Sequence, residues 1–167
     1  MKMTFNKKIL LSLIIRFAMF AFVVPARAAS ALLDVVFAPN PIFTQANFLP
    51  ADTATGTARV YNLSAETQTV IAEAVHVLDP DNLSSQLHLL ITKASGGADI
   101  YNGSFKTFLT GGEMALSALP AGSDETYTFD VSFNNINDNS YQGKTLGFNL
   151  CVGFQGGQTH CGDTVAG

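Results

Sequence analysis

The run Tyr127-Thr128-Phe129-Asp130-Val131-Ser132-Phe133 alternates apolar and polar residues without a break, so Tyr127, Phe129, Val131 and Phe133 fall on one face of an extended chain. Such a run predicts a half-buried β-strand, because a shift of one residue would turn every apolar side chain to water. Leu146-Gly147-Phe148-Asn149-Leu150-Cys151-Val152-Gly153-Phe154 repeats the pattern, gathering Leu146, Phe148, Leu150, Val152 and Phe154 on one side and turning Cys151 to the other. Residues 57–63 and 69–77 are two further β-compatible runs, joined by the polar, turn-length Ser64-Ala65-Glu66 as a hairpin or as a corner between sheets. Residues 87–92 add a short apolar run. Between the runs stand turn signals: Pro39-Asn40-Pro41, Leu49-Pro50-Ala51-Asp52, Asp79-Pro80-Asp81-Asn82, Ser95-Gly96-Gly97, Gly111-Gly112, Leu119-Pro120-Ala121-Gly122 and Asn137-Asp138-Asn139. Short strands at this spacing predict an all-β antiparallel sandwich or barrel. Residues 82–86 and 104–109 each have room for one helical turn and are too short for an independent helix.

The N-terminus reads differently. Lys2, Lys7 and Lys8 form a basic segment, residues 9–24 are almost wholly apolar, and Ala26-Arg27-Ala28 is a small-x-small cleavage site ahead of Ala29. Residues 1–28 therefore read as a cleaved secretory signal helix, and residues 29–167 as one β-sandwich domain. An uncleaved signal anchor is the alternative, and Arg16 in mid-segment disfavours it, since a charge at the centre of an inserting helix costs about 2.5–3.5 kcal/mol. After cleavage only Arg59, Lys93, Lys106 and Lys144 remain against 13 acidic residues, a net charge of −9. That balance excludes nucleic acid as a partner and disfavours an anionic membrane surface, both of which need a basic face.

Export also bears on the two cysteines. Cys151 and Cys161 flank Gln155-Gly156-Gly157-Gln158 symmetrically, the arrangement of a β-hairpin with a cross-strand disulfide lying outside the core. A metal site built on Cys151, His160 and Cys161 lacks a paired-cysteine motif and a fourth ligand.

Catalytic patterns are absent from the sequence: there is no Gly-x-Ser-x-Gly elbow, no His-Glu-x-x-His pair and no glycine-rich phosphate loop before a helix. Glu73 with Glu113, or Asp124 with Glu125, are carboxylate pairs that no spacing places across a cleft. His76, Asp79, Asp81 and His88 are the one cluster with donor types suited to a metal, but Asp and Asn in such a segment also serve local turn bonding, and the turn reading is preferred. No cofactor is expected.

Several segments in order resemble the TasA/camelysin family of secreted bacterial proteins, whose best-known members form biofilm-matrix fibres. These are the signal segment, an N-terminal strand, Phe48-Leu49-Pro50-Ala51-Asp52 as the family's apolar-Pro-Gly-Asp turn, Val60-Tyr61-Asn62-Leu63, Asp79-Pro80-Asp81-Asn82-Leu83-Ser84-Ser85-Gln86-Leu87, and residues 119–133. The most specific is Tyr141-Gln142-Gly143-Lys144-Thr145-Leu146, similar to the Tyr-Gln-Gly segment that opens a late strand in the family. Ala51 departs from the family's glycine and predicts a different turn type, since Ala is disfavoured at positive φ. The charged tail of longer members is also missing after the cysteine hairpin, which leaves a minimal or an accessory subunit open. The camelysin name carries a metallopeptidase label that no ligand motif here supports, so that activity is not carried over.

The resemblance implies a jelly-roll-like sandwich, secreted or cell-surface associated, that self-associates into fibres or joins other matrix subunits by strand exchange. Leu32, Leu33, Val35, Val36 and Phe37, in the strand ahead of Pro39-Asn40-Pro41, are the expected exchange residues; pairing of that strand within its own domain is the alternative. A second functional reading is a monomeric binding or accessory module that holds a glycan, peptide or ion on the loops at residues 79–82 and 134–139. An enzyme stands third.

Overall fold

The alternating runs become strands of two stacked sheets in the structure, a computed structural model that describes residues 32–45, 48–134 and 139–166. The chain divides into two units, Met1–Ser30 and Ala31–Gly167. The expected signal segment, with its cleavage residues Ala26, Ala28 and Ala29, lies outside the described residues.

The strands are β1 (Leu33–Ala38), β2 (Phe43–Gln45), β3 (Thr53–Asn62), β4 (Gln68–Leu78), β5 (Leu87–Lys93), β6 (Tyr101–Ser104), β7 (Met114–Leu119), β8 (Asp124–Phe133), β9 (Leu146–Phe154) and β10 (Thr159–Ala166). One sheet has the order β1-β3-β8-β5-β6 and the other β2-β10-β9-β4-β7. The pairings are antiparallel except for β2, which runs parallel to β10. Most connections cross from one sheet to the other, so the protein is an all-β sandwich of the expected kind. The corner expected at Ser64-Ala65-Glu66 is the crossing from β3 to β4.

The two strands with the clearest alternation bury the predicted faces. Tyr127, Phe129, Val131 and Phe133 of β8 meet Leu146, Phe148, Leu150, Val152 and Phe154 of β9 in one core. Both short segments expected to turn helically do so. Leu83–Gln86 is a 3-10 turn, and Phe105–Thr110 is a single short helix, α1. α1 carries the chain from β6, at the rim of the first sheet, to β7, at the rim of the second, and its Phe105, Phe108 and Leu109 are buried. Phe105 meets the Phe148 ring edge-on at 5.3 Å, so the helix closes that side of the sandwich with aromatic packing.

Tyr127 is the largest of the fully buried side chains. Its hydroxyl shares a 2.6 Å hydrogen bond with Ser117 Oγ of β7, joining the two sheets through the core. Burial pushes the phenol pKa up, the Ser117 bond partly opposes this, and the charge of Glu125 adds to the rise. With the folded pKa above the unfolded value near 10, the unfolded state loses its proton first, and stability falls as pH rises beyond about 10. Urea midpoints measured from pH 7 to 11 should decline along that limb. Tyr127→Phe should flatten the decline while lowering the midpoint at pH 7 by the equivalent of about 1 kcal/mol.

Candidate functional site

The N-terminal arm, residues 32–45, is the segment whose placement bears most directly on function. β1 lies along β3 with Leu33 opposite Asn62 and Ala38 opposite Thr57. The chain then passes through Pro39-Asn40-Pro41, with both X-Pro bonds cis, and crosses to the other sheet, where β2 lies along β10. One short arm thus forms the outer strand of both sheets on the same side of the sandwich. Ile42, between the two strands, is fully buried, as is Leu33, and Phe43 is buried too. The crossing is close: a Cβ built at Gly56 of β3 would overlap Ile42 Cγ1 and stand 2.7 Å from its carbonyl oxygen. Phe37 packs similarly over Gly162 of β10, where an added Cβ would lie 3.2 Å from its ring. Of the expected exchange residues, Leu33 points into the core, Val35 and Phe37 pack against it, and Leu32 and Val36 are exposed. In this single chain the arm is seated on its own domain.

The two family-like motifs converge although some ninety residues separate them in the chain. Leu49-Pro50-Ala51-Asp52 is a β-turn closed by Asp52 N–H donating to Leu49 O at 2.9 Å, while the Asp52 carboxylate accepts from Leu49 N–H at 2.9 Å. Ala51 N–H donates to Phe133 O and Phe133 N–H to Asp52 O, which fixes the turn to the end of β8. Phe48 stacks on Phe133 at 6.0 Å, and Tyr141 meets the same ring edge-on at 6.3 Å. Gly143 takes a φ of 72° in the turn that follows Tyr141, and Lys144 Nζ lies 4.8 Å from the centre of the Tyr141 ring. Leu49, Pro50, Asp52, Tyr141, Gln142 and Gly143 therefore belong to one end of the sandwich, closed around Phe133.

Ala51 is a correction to the sequence reading. Alanine does not avoid the left-handed region here: Ala51 adopts φ 74°, the value that glycine takes without penalty. The bonds to Phe133 on one side and Leu49 on the other hold it there. Ala51→Gly should raise stability by about 0.5–1 kcal/mol, the relief of left-handed strain less the added freedom of the unfolded chain, read as a higher urea midpoint at unchanged slope.

Of the donor residues weighed for a metal and read as a turn, Asp79 is engaged in local bonding. Both carboxylate oxygens of Asp79 accept bonds from the following turn, Oδ1 from Leu83 N–H at 2.6 Å and Oδ2 from Ser84 N–H at 3.3 Å and from the Ser84 hydroxyl. His76 sits at an irregularity of β4 with φ 52°, and His88 pairs with Ser132 and Ser104 inside its sheet. Among the described residues no three His, Cys, Asp or Glu stand close enough to hold a metal. Asp124 is engaged by Arg59 at 2.8 Å, and Glu125 accepts from the Ser95 and Thr126 amides. Asn134 N–H donates to Gln86 O, which ties the base of the 134–139 loop to the turn at 83–86. Residues 135–138 of that loop lie outside the described residues.

Cys151 and Cys161 are directly opposed across β9 and β10 and form a disulfide, as the hairpin reading predicted. The bond fits an oxidising compartment. It stands apart from the main core cluster, but Cys151 is only 1% exposed, so the staple is not a surface one throughout. Cys151 lies in an interior strand, flanked by Glu73 of β4 and Cys161 of β10, and both neighbours shield it. Among the described residues no helix is long and apolar enough to cross a membrane.

No family model and no curated protein matches the chain. Several solved structures are similar in outline. One described as "AvmM Catalyzes Macrocyclization in Alchivemycin A Biosynthesis" aligns over 83% of this chain and 91% of its own, at 14% identity and a TM-score of 0.46. A family 123 glycoside hydrolase from Clostridium perfringens aligns over 80% of this chain but 26% of its own, at 8% identity and a TM-score of 0.47. A lipoprotein from Bacteroides thetaiotaomicron aligns over 81% of this chain and 79% of its own, at 12% identity and a TM-score of 0.39.

Proposed function

We propose that the protein is a secreted structural subunit of an extracellular matrix fibre, related to the TasA/camelysin proteins, and that it assembles by exchanging its N-terminal arm. The observation that carries this reading is that residues 32–45 supply the outer strand of both sheets on one side and bury Ile42 between them. A donated arm would complete two sheets of its acceptor at once, with the same backbone bonds and the same buried side chains it makes in its own domain. Exchange then costs little beyond the ordering of the chain between subunits, and a head-to-tail contact of this kind does not close on itself. The disulfide, the signal-like N-terminus and a net charge of −9 after its removal support a soluble subunit outside the cell.

Electron microscopy and light scattering of the purified protein, over a range of concentration and salt, test the reading. Filaments are expected from the intact chain. Deletion through Gln45 should abolish them and leave a species that binds a synthetic peptide of residues 32–45. An intact protein that stays monomeric under every condition, or filaments that survive the deletion, would overturn the proposal.

A further inference from the structure

Among the described residues β1 is the outermost strand of its sheet, and nothing in it blunts the edge. It has six residues, Leu-Asp-Val-Val-Phe-Ala, with no proline, no lysine and a single charge at Asp34. The other outer strands are less available: β2 has three residues, β6 has four and runs straight into α1, and β7 follows a register shift between Val70 and Ile71 of its partner.

The hydrogen-bond phase of β1 is fixed by its neighbours. Leu33 stands opposite Asn62, and Leu63 N–H donates to Leu32 O at 2.9 Å, so Leu32, Asp34, Val36 and Ala38 hold the bonded positions toward β3. On the far side of β3, Asn62 N–H donates to Ser123 O, the complementary phase. Alternation therefore turns the N–H and C=O groups of Leu33, Val35 and Phe37 to the open edge.

We propose that this edge pairs with the same edge of a second copy, antiparallel about a two-fold axis through Val35, joining two five-stranded sheets into one. The outward set is symmetric about Val35: Leu33 meets Phe37 of the second copy, Val35 meets its own counterpart, and about six interchain hydrogen bonds form. Two neighbouring registers fail. A slide one way sets Asp34 directly against Asp34 of the second copy, a like-charge pair. A slide the other way sets Leu33 against Pro39, which has no N–H to give. In the favoured register Asp34 faces Val36 of the second copy, and the half-exposed Leu32 and Val36 side chains line the seam.

The pairing uses the free side of β1, so it holds whichever chain supplies the arm. It is lateral and closed, whereas arm exchange is head-to-tail and open, and the two are separable. Sedimentation of protein purified from the full-length chain, across a concentration series, should show a reversible dimer. Val36→Asp places a carboxylate opposite Asp34 twice per dimer and should weaken dimerisation at least about tenfold. Val36→Lys places an ammonium opposite the same carboxylate and should leave the dimer as tight or tighter. Asp34→Lys combined with Val36→Asp should restore it. Thermal melts of each variant confirm that the fold is kept, position 36 being half exposed. A wild type that is monomeric throughout, or Val36→Lys weakening the dimer as much as Val36→Asp, would overturn the proposal. Loss of arm exchange is read separately, from the arm deletion, and leaves the Val36 comparison intact.

Discussion

Replacing Asn62 by alanine should cost about 3–4 kcal/mol of stability and lower the melting temperature by about 10 °C. Asn62 ends β3, has no exposed surface, and satisfies its whole side chain. Its Nδ2 faces three carbonyl oxygens, those of Glu66 at 2.8 Å, Leu119 at 2.9 Å and Pro120 at 3.0 Å. Its Oδ1 accepts from Ser64 N–H at 3.0 Å and from the Ser64 hydroxyl at 2.6 Å. Its backbone adds two bonds to the β7–β8 connection, from Asn62 N–H to Ser123 O and from Gly122 N–H to Asn62 O. One side chain thus ties the crossing between the sheets to the turn between β7 and β8. Truncation strands several buried partners at once, and each unsatisfied group costs about 1–3 kcal/mol before any relaxation or water entry. Urea unfolding should show a lower midpoint at unchanged slope.

Asn62→Asp separates bonding from shape. The carboxylate would face the three carbonyl oxygens that now accept from Nδ2, so its ionised form is opposed and its pKa in the folded state is raised above the unfolded value near 3.9. Stability of this variant should then be greatest below about pH 4 and fall as pH rises, a slope that Asn62→Ala does not show. Equal pH dependence of the two variants would mean that the amide's direction is not what holds the corner.

The sequence made some of this visible and hid the rest for physical reasons. β8 and β9 were legible because each buries one face under strict alternation, and the cysteine hairpin because a glycine pair sits midway between the two cysteines. The short helix was legible as a segment with room for one turn. β2 was not: three residues just after two prolines carry no period, and its parallel place beside β10 depends on the end of the chain. β6 and β7 are short runs, Tyr-Asn-Gly-Ser and Met-Ala-Leu-Ser-Ala-Leu, in which asparagine, glycine, serine and alanine give little sign of a strand. In the sequence Asn62 is one residue of a short motif with no local sign of a buried anchor, because its burial depends on carbonyl groups 57 and 58 residues away. Local preference disfavours positive φ at Ala51, and the ladder to Phe133 overrides that preference.

Gly56→Ala is the substitution that bears most directly on the arm, and it should cost about 3 kcal/mol although it adds one methyl group. Gly56 lies buried in β3 with ordinary strand geometry, so the penalty is not one of backbone conformation but of space. The added carbon would overlap Ile42 Cγ1 and press on the Ile42 carbonyl oxygen at 2.7 Å, a backbone atom that a rotamer change cannot move. Either the crossing between β1 and β2 shifts outward, or the arm leaves and Leu33, Ile42 and Phe43 lose their burial. Gly147→Ala is the control: its new methyl would meet only Leu78 Cβ at 3.8 Å, an ordinary contact, and should change stability by less than about 0.5 kcal/mol. Limited proteolysis should cut the arm of Gly56→Ala faster than that of the wild type or of Gly147→Ala. Because an arm donated by another subunit would cross β3 over the same glycine, Gly56→Ala should also lose filaments, whereas an assembly that does not seat the arm there would keep them.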